Sequence, residues 1–132
     1  PSEIANKLNI LYVEEERASY SVNDENFKLI NVNSTLTDRE KKTHFYHELC
    51  HVLRHYGNQL MMPKAFRELQ ERDANHFTLY ASIPFHMLHD YNFRDENIAI
   101  KLANDFDIEY KIANERVQRI FRNAIRYHKS VI

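Results

Sequence analysis

The chain has 132 residues and a formal net charge of -1, which fits one domain and gives no global pull toward nucleic acid or membrane. Gly57 is the only glycine, which excludes glycine-rich phosphate loops and argues against an all-β fold with many tight turns. Cys50 is the only cysteine, so no internal disulfide can form. No signal-like segment or membrane-length apolar run is present, and a cytoplasmic protein is the simplest expectation.

In chain order, Ser2 to Leu8 reads as a short helix capped by Ser2. Asn9 to Glu14, Arg17 to Val22 and Phe27 to Val32 have strand character. The turn-forming run Asn23-Asp24-Glu25-Asn26 separates the last two, so a small antiparallel sheet is expected before residue 35. Thr37-Asp38-Arg39-Glu40 forms a capping box that opens a helix. Phe45, Leu49, Val52 and Leu53 give that helix an apolar face, and Gly57 should close it. A second helix should start near Pro63, run through Phe66, Leu69, Phe77 and Tyr80, and stop before Pro84. Two more are expected at Glu96 to Asp105 and Glu109 to His128.

The fold class is therefore α+β: a small N-terminal antiparallel sheet on a helical core, with C-terminal helices. It is read as one domain over 1–132, with the sheet in 1–35, the metal-binding helices in 36–90 and the last helices in 91–132.

The chemistry is carried by His47-Glu48-Leu49-Cys50-His51. Residues four apart share a helix face, so His47 and His51 can hold one zinc ion. Glu48 falls beside the metal rather than on it, where it can take a proton from metal-bound water. A third ligand is needed. The extension His-x-x-Gly-x-x-His is absent, because Arg54 and Gly57 stand at its Gly and last His positions. Glu71, on the next helix, is the expected third ligand, with Asp73 its rival. Asn75 lies one turn beyond Glu71, where its oxygen can accept the second N–H of a liganding histidine. Ala74 is small enough to let the two helices approach. Manganese or iron would also suit two His and one Glu.

The remaining histidines read as surface or hydrogen-bonded, with His44 bordering the cleft. His76 and Tyr80 are candidates for stabilising an oxyanion. Cys50 reads as a small buried hydrophobe. From Lys111 onward six Lys/Arg stand against Glu115 alone, giving that segment +5 and leaving -6 for the rest. The face of Arg119, Arg122, Arg126 and Lys129 reads as solvated, with docking of an acidic partner or of DNA as the sharper alternative.

Helix-borne His-Glu-x-x-His, then Glu71-Arg72-Asp73-Ala74-Asn75-His76-Phe77, then Ser82-Ile83-Pro84, resembles the ImmA/IrrE family of bacterial and phage metallopeptidases. Leu102-Ala103-Asn104-Asp105-Phe106-Asp107-Ile108 and Val117-Gln118-Arg119-Ile120 look like that family's C-terminal helices. Thr78 stands where a small Ala is commoner. The resemblance implies zinc on His47, His51 and Glu71, with Glu48 catalytic. It also implies the substrate class, helix-turn-helix repressors inactivated by cleavage. A reading of a different class is a metal-bearing regulatory module without turnover that contacts DNA or a protein partner.

Overall fold

The structure is a computed structural model that describes residues 1–55 and 62–131, with side chains described as far as residue 126. It is an α+β fold. The described elements are α1 (Ser2–Lys7), β1 (Leu11–Glu15), β2 (Tyr20–Asp24), β3 (Phe27–Asn33), α2 (Asp38–Arg54), α3 (Lys64–Ser82), a 3-10 turn (Phe85–Met87), α4 (Ile98–Phe106) and α5 (Tyr110–Val131). The chain falls into two compact units, Pro1–Thr78 and Leu79–Ile132. Among the described residues, no helix is long and apolar enough to cross a membrane.

In the first unit the strand order is β1-β3-β2. β2 and β3 form the expected antiparallel hairpin, with Asp24 opposite Phe27. β1, however, pairs with β3 in parallel, Leu11 beside Leu29 and Glu15 beside Asn33. The sheet is therefore mixed rather than wholly antiparallel. The physical reason lies in residues 16–19, which carry the chain past the end of β3 instead of closing a hairpin. Buried Asn31 holds that link: its Oδ1 accepts from Glu15 N at 2.9 Å and its Nδ2 donates to Ala18 O at 3.4 Å. Ser19 Oγ accepts from Asn33 N at 3.0 Å on the same side. Buried polar backbone needs such partners, and an asparagine supplies both a donor and an acceptor.

α2 begins as its capping box dictates. Thr37 Oγ1 accepts from Glu40 N at 3.2 Å, and Glu40 Oε1 accepts from Thr37 N at 3.0 Å. Such a cap is worth about 1 kcal/mol. Phe45, Leu49 and Val52 pack with Ala5, Ile10, Ile30 and Val32 into the first core. Leu53 is 46 % exposed and takes no part, because the buried arc turns instead through Cys50 and His51. α2 ends at Arg54, with His55 extended; Gly57, the expected stop, lies outside the described residues. The end of α2 is held by the sheet, since Asn23 Nδ2 of β2 donates to Val52 O at 2.7 Å and to His55 O at 3.5 Å. In α1, Ser2 is the first helical residue and Pro1 stands at the cap, so Ser2 is not the cap its residue type suggests.

α3 starts directly after Pro63, whose fixed φ suits that position. Its expected apolar face is only half used: Phe77 packs on the first core while Phe66 and Leu69 are 60 % and 56 % exposed. Ala74 is fully buried.

In the second unit Ile83, Leu88, Ile98, Leu102, Ile108, Ala113 and Val117 form a separate core. Asp107 closes α4 in the left-handed region at φ 52°, a position where glycine is usual and Asp is tolerated. Arg116 is buried, its Nε donating to Ile83 O at 3.1 Å and its guanidinium 4.1 Å above the Tyr80 ring. On α5, Glu115 accepts from Arg119 at 3.1 Å and from Arg122 at 3.2 Å, which internally neutralises part of the basic face.

Candidate metal centre and active site

Three of the expected ligands meet at one point. His47 Nε2 lies 2.8 Å from Glu71 Oε2, His51 Nε2 lies 3.1 Å from Glu71 Oε1, and the two Nε2 atoms are 3.3 Å apart. His47 pairs with Asn75 and His51 with Glu71, so contacts advance along α2 as they retreat along α3. The helices therefore cross antiparallel, and the small buried Ala74 sits between the contributing positions. Asn75 Oδ1 is 3.1 Å from His47 Nδ1. An amide oxygen only accepts, so His47 Nδ1 carries the proton and Nε2 keeps its lone pair.

This donor set fits a divalent ion. Ligands of a tetrahedral zinc at about 2.0–2.2 Å stand about 3.3 Å apart, close to the spacings here. Lone pairs of imidazole nitrogen and carboxylate oxygen pointed at one spot repel one another unless a cation joins them. Burial pushes the His51 imidazole below its ordinary value, outweighing the opposing pull of Glu71. His51 is thus neutral at pH 7, the form that offers a lone pair to metal.

Glu48, one residue after His47, lines the same cavity, of about 1210 Å³. Its Oε2 is buried and finds no hydrogen-bond partner among the described residues. Burial pushes its carboxyl above the ordinary value; His47 and a hydrogen bond from Ser21 act against this, and Glu71 adds to it. A raised carboxyl aimed into a cavity is suited to moving protons near neutral pH. The cavity is walled on one side by Ser19, Tyr20, Ser21 and Val22 of the edge strand β2 and its approach. His44 also lines it, as expected, with its Nδ1 2.8 Å from Ser19 Oγ. His76 is not among the lining residues.

Asp73, the rival ligand, is turned away from this point. Its Oδ1 accepts from Arg54 Nη1 at 2.9 Å, and its Oδ2 lies 3.0 Å from His55 Nε2 and 3.6 Å from Cys50 Sγ. Burial alone would raise the Asp73 carboxyl, but the His55 hydrogen bond and the Arg54 charge outweigh it and hold it below its usual value. Cys50 is fully buried, and burial followed by the Asp73 charge pushes its thiol up to about 12. It is a protonated, buried thiol, as its position in the motif suggests.

His55 was legible only as one more histidine. The signal that singles it out is the repeat His47, His51, His55 at steps of four, which aligns three imidazoles along one face. His51 Nδ1 and His55 Nδ1 are 2.9 Å apart.

Comparison with known proteins finds a family match and two relatives. The model for the peptidase family M78, IrrE N-terminal-like domain, matches residues 6–118. The phage-like element PBSX protein XkdA of Bacillus subtilis (strain 168) is 41 % identical over 131 residues, covering 96 % of this chain and 66 % of that protein. YqaB of the same organism is 27 % identical over 101 residues, 72 % of this chain and 59 % of that protein. The chain thus spans about three-fifths to two-thirds of the length of these relatives. No solved structure matches. With its matched span reaching from α1 into α5 and including every residue of the centre, the chain belongs to the M78 peptidase family with the IrrE N-terminal-like domain.

Proposed function

We propose that this chain is a zinc-dependent peptidase in which His47, His51 and Glu71 hold the metal and Glu48 is the general base. The observation that carries the reading is the meeting of His47, His51 and Glu71, each pair with ligand atoms 2.8–3.3 Å apart, beside a buried Glu48 oxygen with no hydrogen-bond partner among the described residues. A divalent ion bound there supplies the positive charge that acidifies a nearby water and polarises a peptide carbonyl. Glu48 Oε2 takes the proton of the attacking water and later hands it to the departing amine nitrogen. Asn75 keeps the His47 proton on Nδ1 and so keeps the ring oriented. The β2 edge beside the cavity offers backbone groups along which an extended peptide can lie.

The substrate in this reading is a helix-turn-helix repressor cleaved at one site in the cytoplasm. Its support is the family resemblance and the relative XkdA, whose name assigns it to a phage-like element. The test is incubation of the zinc-loaded protein with the repressor encoded beside it, followed by fragment masses. Cleavage at one bond is expected, and Glu48→Gln should lose it by a factor on the order of 10²–10⁴ while retaining zinc. Full cleavage by Glu48→Gln would overturn the assignment of the base.

A further inference from the structure

Asp73 and His55 lie outside the proposed ligand set, yet they touch it through His51. The Asp73 carboxylate is ion-paired with Arg54 at 2.9 Å and is therefore an acceptor. His55 Nε2, 3.0 Å from Asp73 Oδ2, must donate to it. With one proton per imidazole, the His55 proton is spent on Asp73 and its Nδ1 keeps only a lone pair. Facing that lone pair at 2.9 Å is His51 Nδ1, which must supply the proton. The remaining nitrogen of His51, Nε2, is left unprotonated and faces His47 Nε2 and Glu71.

We infer that Asp73 and His55 form a two-step relay that dictates the tautomer of His51 and so prepares it to bind metal. The inference rests on the metal centre proposed above, and it assigns positioning roles, not ligation. His47 is set by one amide contact, whereas His51 is set through a second imidazole that ends on a carboxylate. A hydrogen bond passed on from a carboxylate also makes the liganding nitrogen more basic. The parts of the relay are fixed independently. His55 is extended just past α2, its N–H donates to His51 O at 2.9 Å, and Asn23 of β2 reaches its carbonyl. Asp73 projects from α3 two residues after Glu71, so one helix delivers both carboxylates.

Cys50, His55 and Asp73 also form a cluster whose ligand atoms lie close enough to surround an ion. The structure favours the relay. Arg54 already supplies the positive charge at Asp73, and Cys50 keeps its proton in a buried setting where a thiolate ligand would need to lose it.

The test uses the full chain, metal-free and zinc-loaded, with variants His55→Phe, His55→Gln, Asp73→Asn and the double variant His55→Phe/Asp73→Asn. Long-range 1H–15N spectra of the metal-free protein at pH 8 read the tautomers, and competition with a chromophoric chelator reads zinc affinity. The wild type should show His51 protonated on Nδ1. His55→Phe should weaken zinc about 10–100-fold with one equivalent still bound at saturation. His55→Gln keeps an acceptor oxygen for His51 and should recover most of that loss. Asp73→Asn should mix the His51 tautomers, and the double variant should be no weaker than His55→Phe alone, since the two act in series. If His55→Phe fails to fold, Asp73→Asn and His55→Gln carry the test alone. Unchanged zinc affinity and tautomer in the folded variants would overturn the relay. So would a second equivalent of zinc in the wild type that is lost in Asp73→Asn. A wild type that binds no zinc yet shows the Nδ1 tautomer would overturn the metal centre and leave the relay standing.

Discussion

Two clusters of three possible ligands each lie where α2 and its C-terminal end meet α3. One joins His47, His51 and Glu71; the other joins Cys50, His55 and Asp73. Both take a carboxylate from α3; the first takes two side chains from α2, the second one from α2 and one from His55 just past its end. They differ in what neutralises them. In the second, Arg54 brings a cation to Asp73, and the thiol of Cys50 is pushed up to about 12 and keeps its proton. In the first, Asn75 Oδ1 accepts from His47 Nδ1, and the Nε2 atoms of both histidines face Glu71. The first thus presents a donor set that suits a divalent ion.

The comparison can be broken most severely at Glu71. Glu71→Ala should abolish stoichiometric zinc, read by elemental analysis, and with it cleavage; retention of a full equivalent would mean that Glu71 is not a ligand. Cys50→Ala should leave zinc stoichiometry intact, because the thiol belongs to the balanced cluster. It should also change the alkaline limb of stability. A thiol whose folded value is raised contributes stability that is full below its ordinary value of 9.0 and is lost as pH rises toward about 12. Denaturant melts of wild type and Cys50→Ala should therefore converge over that window, and parallel curves would contradict the buried, protonated thiol. The smallest effect should come from Arg54→Met. Arg54 is half-exposed, so loss of its bond to Asp73 should cost less than about 1 kcal/mol in a chemical melt and bring in no second zinc. A second equivalent in that variant would show that the Arg54 cation alone keeps metal out of the Cys50 cluster.

Much of the centre was legible in residue spacing. The capping box fixed where α2 begins, and from it the His47–His51 face followed, because helical periodicity is local. Glu71 and Asn75 followed from the return of a second helix. What spacing cannot carry is which way neighbouring carboxylates turn. Glu71 and Asp73 are two residues apart, about 200° around a helix, and the sequence alone left them rivals. In the structure Glu71 reaches both histidines of the motif, whereas Asp73 turns to Arg54 and His55. The parallel β1–β3 pair was hidden for a similar reason. Neighbours in sequence suggest a hairpin, and only the buried side chain of Asn31, reaching the 16–19 link, discloses that the chain passes over β3. Leu53, Phe66 and Leu69 satisfy an apolar helical pattern yet stay exposed, since periodicity does not say where the core lies.

Zinc-edge X-ray absorption on the purified, zinc-loaded chain measures the two clusters against each other directly. The account predicts one zinc whose shell holds two imidazole nitrogens with oxygen ligands only besides, at about 2.0–2.2 Å. Sulfur scattering at about 2.3 Å would put the ion on Cys50 and contradict the assignment of the metal centre to His47, His51 and Glu71.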